Sequence, residues 1–210
     1  MAMPLDPPER HAPGASTRRP RLVVAYGVMP AHALLRAEAA RWHQVTPAHI
    51  VLVHECPRCG SDAHGRPRLL PTAAVRHPGH VSLARAGDLS VVALTDVGPV
   101  GVDVEAVDAA GFPGFDDVAL HPDEHASSAE DRTRLWVRKE ALLKAYGLGL
   151  AVDPREVLVD DDGRVTWSSP RRAPGAVRLL DVAVRGQVVA VAVLTDMSLE
   201  GLSVTLRPAR

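Results

Sequence analysis

The stretch HVSLARAGDLSVVALTDVGPVGVDVE, residues 80–105, holds three apolar or alternating runs, HVSLA (80–84), LSVVALT (89–95) and GPVGVDVE (98–105). Glycine-containing turns separate them, so the segment predicts three short strands in an antiparallel meander. Downstream, HPDEHASSAEDRTRLWVRKEALLKAYG (121–147) opens on acids and ends on Gly147, which predicts a helix or a helix pair. Upstream, LVVAY (22–26) and IVLVH (50–54) read as strands. Between them Leu34, Leu35, Ala39 and Trp42 recur at helical spacing behind Pro30, predicting a helix over 30–43. The segment from Glu55 to Pro71 and the loop DAAGFPGFDD (108–117) are too rich in turn residues for long regular structure. A DDDG turn (160–163) and two strands near 177–184 and 188–194, joined at RGQ, complete the pattern. Strand runs, a helix and strand runs again predict the α+β class.

A chain of 210 residues, 46% hydrophobic, can bury a core as one domain or as two small halves sharing an interface. A formal charge of -1 leaves no overall basic field, which argues against bulk nucleic-acid binding; any anion must be held locally. Residues 1–20, rich in Pro, Arg and small side chains, predict a disordered leader without the apolar stretch of a signal peptide. No run is long and apolar enough to predict a membrane span. Two cysteines in one CxxC point to a reducing, cytoplasmic setting.

Asp103 and Glu105 stand two apart on a predicted strand, so they share one face while Val102 and Val104 take the other. Two carboxylates on one face repel unless a cation lies between them, and a hard divalent ion such as Mg²⁺ answers that need with room left for phosphate oxygens. The plainer reading is a solvated strand end. On the helix, Trp136, Glu140 and Lys144 are spaced i, i+4, i+8 and share a face, flanked by a stripe of Leu135, Leu142, Leu143 and Tyr146. A surface Glu-to-Lys pair worth roughly 0.2–0.5 kcal/mol would explain Glu140 and Lys144 but not the choice of lysine. Of the 24 Lys and Arg residues only Lys139 and Lys144 are lysine, and a mobile point charge suits a shifting phosphate charge better than a planar fork. Lys139 lies about 140° around the helix from Lys144, five steps of ~100°, and is expected to support phosphate or packing.

GVDVE (101–105) followed by WVRKEALLKAYGLGL (136–150) resembles the paired signature of 4′-phosphopantetheinyl transferases of the surfactin-synthetase-activating type, (G)(V/I)D(V/I)E and W-x-x-K-E-A-x-x-K-x-x-G-x-G-L. HGRPRL (64–69) resembles the family's GKP segment, with Gly65, Arg66 and Pro67 in its place, and HVSLARAGDLSVVAL (80–94) lies where the family has its SHS strand. The resemblance implies a pseudo-twofold, two-lobed fold with a shortened first lobe: an abbreviated N-terminal lobe and connecting strand over 21–95, and a C-terminal lobe over 96–210 carrying the metal site and the signature helix. It implies transfer of 4′-phosphopantetheine from coenzyme A to a serine of an acyl or peptidyl carrier protein, dependent on Mg²⁺, in polyketide, nonribosomal peptide or fatty-acid synthesis. By the same resemblance Asp103, Glu105 and Glu140 hold the metal, Glu140 accepts the serine proton, directly or through water, and Lys144 stabilises the leaving 3′,5′-ADP. Gly65, Arg66, Pro67, Arg85 and Arg36 fall to coenzyme A binding, and Arg132, Arg134 and Arg138 offer a basic surface to an acidic carrier protein. The implied protein is a monomer.

Where the family has SHS, this chain has Ala84, Arg85 and Ala86, and Arg85 can replace the missing groups with a bidentate phosphate contact. The same departures fit another reading, a catalytically weak homologue that binds carrier proteins or serves as a scaffold. His54, Cys56, Cys59 and His64 have the ligand types of a structural zinc site. A lone CxxC is a weak signal, and a reduced pair in a loop is the preferred reading.

Overall fold

The computed structural model describes residues 19–56, 59–62, 65–168, 176–184, 186–197 and 201–209. The expected leader, up to residue 18, and His64 of the zinc candidate lie outside the described residues. The elements form a mixed α+β architecture. One sheet is built from β1 (Arg21–Val28), β4 (His80–Ala86), β5 (Leu89–Thr95) and β11 (Ser203–Pro208), in the order β11-β1-β5-β4. A second is built from β6 (Val100–Ala106), β9 (Val177–Val184) and β10 (Gln187–Leu194), in the order β6-β10-β9. Two hairpins, β2 (Leu52–Glu55) with β3 (Arg66–Leu69) and β7 (Val157–Val159) with β8 (Val165–Trp167), stand beside them. The helices are α1 (Ala31–His43), α2 (Phe115–Ala119) and α3 (Ala129–Tyr146).

The expected meander is corrected at its third member. β4 and β5 pair antiparallel, but β6 leaves them and pairs with β10, Asp103 opposite Ala190 and Glu105 opposite Val188. The period of two explains the switch, because each strand here is buried on both faces and so needs two layers against it. Val91 and Ala93 of β5, Val100, Val102 and Val104 of β6, and Val189, Val191 and Val193 of β10 share one core between the two sheets. The alternate residues Val92 and Leu94 meet Leu34, Leu35 and Ala39 of α1. Ala190 and Ala192 meet Val137, Ala141 and Leu142 of α3. The order of layers is therefore helix, sheet, sheet, helix. The Ser82 hydroxyl, accepting from the Val102 amide at 3.0 Å, stitches β4 to β6.

Two further elements arise where turns were expected. Arg66–Leu69 of the Glu55–Pro71 segment is a strand, and the glycine-rich loop gives way at Phe115 to the short helix α2. β11 had no clear sequence signal; it returns from the end of the chain to lie parallel to β1, Arg21 opposite Ser203 and Tyr26 opposite Pro208. Residues 203–208 thus complete the sheet begun by residues 21–28. None of the described helices is long and apolar enough to cross a membrane.

α3 carries its own start and stop. The Ser128 side chain accepts from the Asp131 amide, Glu130 and Asp131 occupy the first turn, and Gly147 closes the helix with φ 70°. It also comes unusually close to β6, for which Gly101 is responsible: a Cβ there would overlap the Ala141 carbonyl and lie 2.5 Å from the Ala145 amide nitrogen. That close approach sets the signature helix against the strand that bears the acids.

Candidate active site

β6 presents Asp103 and Glu105 on the face toward α3, while Val102 and Val104 are lost in the core between the sheets. α3 answers with Glu140 and Lys144, one turn apart. The Lys144 ammonium donates to Asp103 Oδ1 at 2.5 Å and to the Val102 carbonyl at 3.3 Å. Asp103 Oδ2 and Glu140 Oε1 are buried and have no hydrogen-bond partner. All three carboxyls are held above their ordinary pKa. For Asp103 burial outweighs the opposing charge of Lys144. Glu105 is raised by burial and then by the charge of Asp103, and Glu140 by burial, with Asp103 and Glu105 adding to it against Lys144.

Three carboxylates against one ammonium leave an excess of negative charge in a half-buried place, with oxygen lone pairs unsatisfied. A hard divalent cation fits that donor set, in charge and in ligand type. Among the described residues no three His, Cys, Asp or Glu side chains are already drawn up around a common point; Lys144 is seated on Asp103 instead.

Lys139 shows why a second lysine is kept. It faces away from Lys144, as expected, and is 1% exposed. Its ammonium meets Glu124 at 2.5 Å, the Ala119 carbonyl at 2.8 Å and the Pro154 carbonyl at 3.0 Å. Three donors meet three acceptors, a match to a tetrahedral ammonium and not to a flat guanidinium. Glu124 is filled in turn by the amides of His121 and Val159.

The GRP segment is brought to the same end of α3. Gly65 has φ 108° and no room for a Cβ, which would strike the Glu55 carbonyl, and Pro67 sits opposite His54 in the hairpin. The Arg66 guanidinium approaches Gly147 to 3.7 Å from where a Cβ would stand, just beyond Lys144. Burial, and then Arg68, hold Arg66 below its ordinary pKa. His80, which sequence reasoning passed over, is lowered by burial and then by the charge of Arg66, so it faces the same locality. Arg85 is exposed on β4. Arg36 donates to the Ile50 carbonyl and makes no ion pair with the acids.

The expected basic surface on α3 is corrected. Arg132 is bidentate to Asp116, Arg134 reaches Glu130 and Asp131, and Arg138 is bidentate to Asp181. Each is neutralised within its own chain. A concavity of about 650 Å³ on α3 is walled by Arg134 and Arg138 and by Asp160 and Asp161. On the face of Trp136 there is a smaller cleft of about 420 Å³, lined by Glu105, Phe112, Phe115, Ala119, Trp136 and Pro154. Phe112, 53% exposed, stands among its lining residues, and no periodic signal in the loop announced it.

Two other constellations are weaker. The His121 ring lies 3.0 Å from the Ser168 hydroxyl and near Asp123, but the Asp123 amide donates to Nδ1 at 3.1 Å. That fixes the proton on Nε2, so this imidazole donates to the serine and cannot act as its base. His32 and His54 approach at Nε2 to 3.0 Å, beside the Cys56–Cys59 loop; no described trio there forms a metal shell.

Residues 99–192, from the approach to β6 through most of β10, match the family model of the 4′-phosphopantetheinyl transferase superfamily. No curated protein matches the chain. The matched span contains both acids of β6, all of α3 and the Trp136 cleft. Residues 99–192 carry a domain of the 4′-phosphopantetheinyl transferase superfamily, and that domain indicates a 4′-phosphopantetheinyl transferase.

Proposed function

We propose that the protein transfers the 4′-phosphopantetheine group of coenzyme A to a serine of an acyl or peptidyl carrier protein, with Mg²⁺, in polyketide, nonribosomal peptide or fatty-acid synthesis. The observation that carries this reading is the meeting of Asp103 and Glu105 on β6 with Glu140 and Lys144 on α3. The architecture implied by this reading is two-lobed, α1 backing the first sheet and α3 the second, with the first lobe shortened.

Asp103, Glu105 and Glu140 would hold the metal, which when bound supplies Lewis-acid neutralisation of the diphosphate. Lys144, a flexible ammonium that is partly exposed, can turn from Asp103 to a phosphate oxygen. Arg66, drawn toward the same helix end, and Arg85, exposed on β4, supply cations for the 3′-phosphate side. The apolar cleft at Trp136 and Phe115 suits the pantetheine arm, placing its phosphate end at Glu105. A serine oxygen then bonds to the phosphorus that bears pantetheine, and the bridging P–O bond breaks. Its electron pair leaves with 3′,5′-ADP, and the serine proton passes to the Glu140 carboxylate, directly or through water.

The test is the intact mass of an apo carrier protein after incubation with this protein, coenzyme A and Mg²⁺, with an EDTA control. A magnesium-dependent gain of one phosphopantetheine supports the reading. No gain across several carrier proteins, with a control enzyme active, overturns it in favour of a homologue that only binds carrier proteins.

A further inference from the structure

Three short segments wall the cleft or lie behind it, and none has much core of its own. α2 is five residues long, the turn at Pro154–Glu156 is three, and the His121–Glu124 loop has no regular structure. Each gives one acceptor to the Lys139 ammonium: the Ala119 carbonyl at the end of α2, the Pro154 carbonyl and the Glu124 carboxylate. Ala119 and Pro154 are themselves lining residues of the cleft, together with Trp136, which sits one turn before Lys139 on α3. Glu124 extends the network to Val159 of β7. The ammonium is thus a hub that fixes the cleft walls to the helix bearing Glu140 and Lys144.

We infer that Lys139 is a positioning residue, which sets the width of the cleft beside Glu105 and through it the seat of the pantetheine arm. It touches no reacting atom. Its action is on the two carbonyl-bearing walls, and it rests on the reading of the cleft as the arm's site in a coenzyme A-dependent transferase. Lysine is required because its three N–H groups diverge toward three separate segments; arginine keeps the charge but presents its donors in a plane.

The test compares two ligands by calorimetry: coenzyme A, which carries the arm, and 3′,5′-ADP, which does not. Removing Lys139 alone strands a buried Glu124, so the first variant is the double substitution Lys139→Met with Glu124→Gln, and the second is Lys139→Arg. In both, coenzyme A affinity is expected to fall about tenfold, the scale of a modest loss of apolar contact, with 3′,5′-ADP affinity unchanged. The KM for coenzyme A should rise by a similar factor, with kcat much less affected. Equal weakening of both ligands, or no weakening of either, overturns the positioning role. Failure of both variants to fold also overturns it, leaving a purely structural ion pair. A wild-type protein that binds neither ligand overturns the transferase reading itself, a result distinct from any of these.

Discussion

α1 and α3 each turn one glutamate inward, and the two fare differently. Glu38 of α1 is 3% exposed; Arg207 of β11 reaches it at 2.6 Å and Arg41 lies at 3.6 Å. Glu140 of α3 has a buried oxygen with no partner, and its neighbours Asp103 and Glu105 add negative charge. Around the first sheet other polar groups are closed in the same way, Ser90 onto the Met29 carbonyl and Thr95 onto the Arg21 carbonyl. Among the described residues every buried side-chain atom without a partner belongs to β6, α3, β8 or β10: Asp103, Glu140, Tyr146, Trp167 and Gln187. Buried polar groups cost free energy unless they are satisfied, so a fold tolerates orphans chiefly where something else completes them. Two of the five share one place between β6 and α3.

The largest effect is expected at Glu140. Glu140→Gln should cut transfer by about 10²–10⁴-fold, the range of a lost general base, while the protein stays folded. Intact carrier-protein mass read with a thermal melt checks both halves, and undiminished turnover would remove Glu140 from the chemistry. Next, Gly101→Val should drive α3 off β6 and cost about 3 kcal/mol, typical of overpacking, seen as a lower denaturant midpoint. A divalent cation at a hundredfold above its Kd should stabilise the wild type by about 2.7 kcal/mol. Asp103→Asn should abolish that rise in melting temperature. In the first half the opposite is expected. Arg207→Met should cost about 2 kcal/mol, reduced from a fully buried pair because Arg207 is partly exposed and Arg41 remains, yet leave turnover per folded molecule intact.

The smallest effect is a slope with pH. Burial raises Asp103, Glu105 and Glu140, so the metal-free folded state holds these protons more tightly than the unfolded chain. Their contribution to stability is therefore greatest below the ordinary carboxyl range and falls as pH rises through it toward the raised values, while Asp116, Asp131 and Asp153, held low by their arginine and hydroxyl partners, contribute with the opposite sign. Melting temperatures in EDTA from acid to neutral pH read the slope, and Glu140→Gln should flatten it. The difference between wild type and Glu140→Gln isolates the cluster, and a difference that grows in the wild type's favour as pH rises would mean that Glu140 is satisfied in solution.

Local signals made much of this legible. The period of two in GVDVE separated the acids from Val102 and Val104, and Gly147 marked the end of α3, whereas its start at Ser128 was not singled out within 121–147. The spacing put Glu140 and Lys144 on one face of the helix, and the structure turns that face toward β6. Non-local relations were not legible. Nothing in VGVDVEA reveals that β6 pairs with β10 across some eighty intervening residues instead of with β5. Arg132 and Arg138 looked like part of an open basic face because their partners Asp116 and Asp181 come from elsewhere in the chain. Lys139 was expected to support phosphate or packing, but its burial on Glu124 and two carbonyls was not legible, because those acceptors lie on three separate segments.

The pairing of β11 with β1 bears on how the molecule is made. During synthesis residues 21–28 emerge well before 203–208, so one edge of β1 stays open until the residues between them have been made. Glu38 waits equally long for Arg207. The half that carries the acids has its three strands and α3 in hand before that final strand arrives. Order at the two ends of the layered stack is thus acquired at different moments of the protein's birth, and the half without the acidic cluster is finished last.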